Sequence, residues 1–86
     1  MTFLKDGKLE LYPNIDKEAT GQNIKLLRED NGISVKELAK ILKLESVQGV
    51  YNWQYGKSLP VLEHLLILSD LFGKPIRELL VFKSAN

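Results

Sequence analysis

The stretch Ser46–Pro60, SVQGVYNWQYGKSLP, decides the fold. Ser46 is a favoured helix cap, because its hydroxyl can accept from the amides of a first turn. Val50 and Trp53 stand three residues apart, the spacing of a single apolar seam on a helix. Gly56 and Pro60 close the segment as stop signals. The pattern predicts a short helix over residues 47–55, anchored along one thin line. Its other face carries Val47, Gln48, Gly49, Tyr51, Asn52 and Tyr55, none of them charged.

Immediately upstream, Ser34 and Glu37 form an S-x-x-E capping box that starts a second short helix. Val35, Leu38, Ala39 and Leu42 give its buried face, and Lys36, Lys40 and Lys43 point elsewhere. It is expected to end near Lys43 or Leu44. Ala39 is small enough to let the two helices cross closely. A longer helix before it is expected from Asp16 to about Asn31, stopped by Gly32, with Thr20, Ile24 and Leu27 on one face. Gly21 weakens that helix unless something packs closely on it.

Downstream, Pro60 is expected to open a fourth helix, with Leu62, Leu65, Leu66, Leu68 and Phe72 as its core face. Gly73 ends it, and Lys74-Pro75 starts a final helix carrying Ile76, Leu79 and Leu80. A second stripe, Val61, His64, Ile67 and Leu71, joins Val81 and Phe82 as a candidate dimer seam. Its alternative is to pack under the N-terminal arm. The chain therefore divides into an arm over 1–14, a helical domain over 15–82 and a frayed tail over 83–86. Within the arm, FLKDGKLEL reads as two short extended pieces around Asp6-Gly7, a favoured hairpin turn. A partly ordered arm and a β-ribbon both fit it.

Eighty-six residues, 44% of them hydrophobic, suit one small core. The chain has no cysteine, which excludes a disulfide framework and a thiolate metal site and fits a cytoplasmic protein. No apolar run approaches a membrane span of roughly 18 residues. MTFLKDGKLE places acids too close behind its apolar pair for a signal peptide. His64 is the single histidine, without a second ligand for a metal or a nucleophile to serve. No phosphate-binding glycine loop or paired carboxylate motif appears, so no enzyme, cofactor or small-molecule ligand is expected. Net charge is only +1, with residues 20–60 the most basic segment at +2, against −1 for residues 1–19 and zero for residues 61–86.

Two short capped helices with a tight link, the second thinly anchored and polar outside, form a helix-turn-helix pattern. Such a second helix enters a major groove about 12 Å wide, so its outer face has to be polar. Gly21, Ile24, Leu27-Arg28, Gly32-Ile33-Ser34, Glu37-Leu38-Ala39, Leu42, Ser46, Val50 and Trp53 stand in register with Gly56-Lys57, Pro60, Leu62, Leu65-Leu66, Leu68, Gly73 and Glu78-Leu79-Leu80. In this combination residues 21–80 resemble the Xre-type, phage-repressor-like helix-turn-helix domain. YPNID and TGQNIK, with Leu44–Gln48 and Tyr51–Trp53, are similar to a subgroup of small stand-alone regulators from Gram-positive bacteria.

The resemblance implies an all-α, five-helix bundle with residues 47–55 as the recognition helix. By position it implies that Val47, Gln48, Gly49, Tyr51 and Asn52 face bases. It implies phosphate contacts for Ser34, Lys36, Tyr55 and Lys57. The expected function is a DNA-binding transcriptional regulator, a repressor that blocks polymerase, with no sensor domain. Its expected partner is double-stranded DNA, read as a pseudo-palindromic operator by a homodimer. The competing expectation is a protein-interaction module, such as an antitoxin or anti-regulator on the same fold. Three departures from the family pattern stand out: Val35 where many relatives place a phosphate-contacting Gln, Gln54 where many carry Glu beside the Arg28 position, and a link one residue longer. Glu45 in that link would repel phosphate.

Overall fold

The computed structural model describes residues 14–83 in full and the backbone of residues 3–5 and 8–10. Two strands, β1 (Phe3–Lys5) and β2 (Lys8–Glu10), pair antiparallel with Leu4 opposite Leu9. The Asp6-Gly7 turn and the tail beyond Lys83 lie outside the described residues. Five helices follow: α1 (Lys17–Asp30), α2 (Val35–Ile41), α3 (Gln48–Gln54), α4 (Leu62–Phe72) and α5 (Ile76–Leu79).

Local chemistry starts and stops these helices. Asp16 accepts from the Ala19 amide at 3.0 Å and caps α1. Ser34 and Glu37 complete the capping box of α2, with both bonds at 3.0 Å. Ser46 Oγ accepts from the Gln48 amide at 3.2 Å as the chain turns into α3. The first four helices run out through left-handed residues at 32, 43, 56 and 73. Three of these are glycine; the exception is Lys43, at φ 55°. There the Leu44 amide returns to the Ala39 carbonyl at 2.9 Å, a Schellman closure. So α2 ends at Ile41, short of the expected Lys43 or Leu44. Pro60 is likewise not in the first turn of α4. It is buried ahead of Val61, the residue that caps that helix.

All five helices contribute to one core: Ile24, Leu38, Ala39, Leu42, Val50, Trp53, Leu68, Phe72 and Leu79. α3 lies chiefly on α1 and next on α2. The ends of the described domain clasp each other. Ile15 bridges Phe82 antiparallel, the Asp16 amide donates to the Val81 carbonyl at 2.8 Å, and the Lys83 amide donates to Asn14 at 2.7 Å. The Val81 amide also donates to the fully buried Thr20 hydroxyl at 2.9 Å. The Arg77 guanidinium lies 5.1 Å above the Phe82 ring. Val81 and Phe82, expected at a dimer seam, are thus half-buried in this intramolecular clasp.

The phase of α4 is the main correction. Leu62 and Leu66, expected in the core, are 63% and 52% exposed. His64 and Leu71, expected on an outer stripe, are half-buried; His64 meets the Trp53 ring at 6.0 Å and Leu71 packs on the core. Val61 and Ile67 do stay outside, at 56% and 38%.

Candidate nucleic-acid interface

α3 is held from behind by backbone-level contacts. A Cβ on Gly21 would collide with the Trp53 carbonyl, so glycine there lets α1 and α3 touch main chain to main chain. One residue on, Gln22 Nε2 donates to the Gln54 carbonyl at 2.9 Å and satisfies an orphan acceptor at the helix end. The buried Arg28 spans the α1–α2 turn and α3. It donates to the Ile33 carbonyl at 2.9 Å and to Gln54 Oε1 at 3.3 Å. Gly56 (φ 72°) lies against Glu18, where a Cβ would find no room. The amides of Gly56 and Lys57 close the helix on the Trp53 and Asn52 carbonyls at 3.1 and 2.8 Å. Lys57 therefore leaves the helix end exposed and close to the outer face.

That outer face is ordered into two i, i+4 pairs. Gln48 Nε2 donates to Asn52 Oδ1 at 2.9 Å. Tyr51 and Tyr55 stack with centroids 6.1 Å apart and planes 15° from parallel. Gln48 and Tyr55 are exposed, and Tyr51 and Asn52 half-exposed. Val47 stands at the entry to the helix, 38% exposed. Gly49 points aside instead: a Cβ there would sit 3.2 Å from Leu44 Cδ1. Its expected place among the base-facing residues therefore does not follow from its direction.

At the start of α2, Ser34 and Lys36 are exposed. Glu37 shares this edge. The Ser34 amide and hydroxyl, with the nearby Lys40 charge, hold its carboxyl below the ordinary value of 4.5. Glu37 thus keeps its negative charge to a lower pH than an unperturbed carboxylate does. Sequence reasoning left the Glu37 charge out of the candidate site, although the capping box that holds it was legible. Among the described residues no cluster of His, Asp and Glu is placed to hold a metal ion.

A thinly anchored polar helix, crossed by a capped helix and clamped by a third, defines a helix-turn-helix unit. Residues 24–79 match the helix-turn-helix family, and the chain belongs to it. It is 37% identical over 65 residues to PH1808 of Pyrococcus horikoshii, whose name places it among HTH-type transcriptional regulatory proteins. That match takes in 76% of this chain and only 19% of the relative's length. Among solved structures, the restriction-modification controller protein C.AhdI from Aeromonas hydrophila superposes with a TM-score of 0.64 at 28% identity. The superposition covers 74% of this chain and 96% of that one. The BldD DNA-binding domain of S. venezulae shares the fold, with a TM-score of 0.62, 21% identity and coverages of 77% and 97%.

Proposed function

We propose that the protein is a sequence-specific, double-stranded-DNA-binding transcriptional regulator whose α3 enters the major groove. One observation carries this most directly: the outer face of α3 is polar, ordered and free of core duties. Base edges in the groove present hydrogen-bond groups and thymine methyls. Gln48, Asn52 and Tyr51 supply partners for the first, and Val47 an apolar contact for the second. Ser34, Lys36, Tyr55 and Lys57 frame the face and are suited to phosphates, which fix register rather than sequence. Membership of the helix-turn-helix family and the likeness to C.AhdI support the same reading. Among the described residues no helix is long and apolar enough to cross a membrane. The proposed site of action is DNA in the cytoplasm, where occupancy would repress by excluding polymerase.

The finer proposal is a two-fold homodimer on a pseudo-palindromic operator. Leu62 and Leu66, one turn apart, give α4 an exposed apolar edge, with exposed Val61 just ahead of the helix and exposed Ile67 farther round it. Pairing such edges would remove apolar area from water at about 25 cal/mol per Å². It would also double the phosphate contacts available to a chain of net charge +1. Half-sites would then lie about one helical turn apart, roughly 34–36 Å.

Binding to random-sequence duplex at low and moderate salt tests the DNA reading. The expected result is measurable affinity at low salt that falls steeply as salt rises, because bound cations release counterions. Absence of binding at low salt would overturn it and favour a protein partner for the α4 edge.

A further inference from the structure

Gln48 and Asn52 are joined along the exposed face of α3 by the 2.9 Å bond from Gln48 Nε2 to Asn52 Oδ1. We propose that this bond makes Asn52 a positioning residue that sets Gln48 to read adenine and reject guanine. The proposal rests on α3 being the DNA-reading helix.

A glutamine amide has two N–H donors and one carbonyl acceptor. With one N–H engaged by Asn52, Gln48 offers Oε1 and a single Nε2–H to a ligand. Adenine presents the complement in the major groove, an N6 donor beside an N7 acceptor. Guanine presents two acceptors, N7 and O6, and asks for two donors side by side. An unrestrained glutamine turns about its terminal torsion, which is broad and roughly two-fold, and offers either order of oxygen and nitrogen. The bond to Asn52 selects one order before DNA arrives.

Asn52 is well placed to impose that choice. It is half-buried, and its main-chain carbonyl accepts the Lys57 amide at 2.8 Å in the closure of the helix. Its Oδ1 therefore projects from a fixed stretch of backbone. On the same outer face, the Tyr51–Tyr55 stack stands beside the amide pair at helical spacing.

The experiment selects sequences from a random duplex pool with the wild-type protein and with Gln48→Ala, Asn52→Ala and Asn52→Asp. Thermal unfolding shows whether each variant is folded. The wild type should enrich adenine at one position that Gln48→Ala leaves unspecified. Asn52→Ala should lower the adenine-over-guanine preference there by about tenfold, within the range of one bidentate pair. Asn52→Asp should restore it, because a carboxylate oxygen accepts the same N–H. If Asn52→Ala weakens all sequences alike and keeps the adenine preference, the positioning role is overturned while the DNA reading stands. A guanine at the Gln48-dependent position overturns it too. Enrichment of no sequence by the wild type would bring down the DNA reading itself, and the proposal with it.

Discussion

The Arg28 guanidinium donates to the Gln54 side-chain carbonyl over 3.3 Å, inside the packing of α1 against α3. Arg28 is only 8% exposed, and its Nε has no hydrogen-bond partner among the described residues. Its two bonds to other residues end on neutral oxygens, Ile33 O and Gln54 Oε1. A charge-assisted bond is roughly twice as strong as a neutral one.

Gln54→Glu should therefore stabilise the fold by about 1 kcal/mol at pH 7. In a domain of this size that raises Tm by about 4–8 °C in thermal unfolding. Arg28 would hold the new carboxyl below its unfolded value of about 4.3. The gain is then complete above that value and is lost as pH falls through the lowered folded value. An unchanged or lower Tm at pH 7 would contradict an under-compensated Arg28.

Gly21→Ala should destabilise by about 3 kcal/mol, the upper range for overpacking, since the new methyl meets the Trp53 carbonyl rather than a side chain that can move. Gly32→Ala is the control. It has φ 66° and nothing within 4 Å of an added Cβ, so only backbone strain of about 1–2 kcal/mol applies. Denaturant melts of the two variants rank them; equal losses would mean that the α1–α3 contact is looser than described.

The capping box gives a pH signature. Glu37 accepts from the Ser34 amide, and its carboxyl is held below 4.5 in the fold. Its contribution is present above the unfolded value and disappears as pH falls through the lowered folded value. Glu37→Gln should flatten that part of the acid arm in a plot of stability against pH. An acid arm of wild-type steepness in the variant would contradict the assignment.

Leu66→Glu tests the proposed dimer. Leu66 is 52% exposed, so the monomer should lose no more than about 0.5 kcal/mol of stability. Sedimentation should show weakened self-association. Affinity for a palindromic duplex should fall by about tenfold or more, through lost avidity, with half-site affinity only modestly lowered. Unchanged self-association would remove the α4 edge from the interface.

The parts of the fold legible in sequence are those set by short-range chemistry. Asp16, Ser34 and Ser46 announce helix starts, and Gly32, Gly56 and Gly73 announce stops. The α2 stop was missed because Lys43 occupies a left-handed position that glycine usually marks. The phase of α4 was missed for another reason. Val61, Leu62, Leu65, Leu66, Ile67, Leu68, Leu71 and Phe72 surround the helix, so periodicity alone cannot say which line faces inward. At the candidate site, Val50 and Trp53 fixed the buried line of α3 and hence its outer face. The direction of Gly49 was hidden because it depends on Leu44, in a loop whose path the sequence does not reveal. The pairing of Gln48 with Asn52 was present as an i, i+4 spacing, but a spacing does not show which amide donates.

The central claim, that the outer face of α3 reads base sequence, is tested most directly by two dissociation constants for each of three proteins. Wild type, Gln48→Ala and Lys57→Ala are each measured on the selected operator and on random duplex at one salt concentration. Gln48→Ala should lose about 1–3 kcal/mol on the operator and nothing on random duplex. Lys57→Ala should lose the same factor on both, because a phosphate contact carries no sequence information. Equal losses for Gln48→Ala on both duplexes, or none on either, would contradict the account.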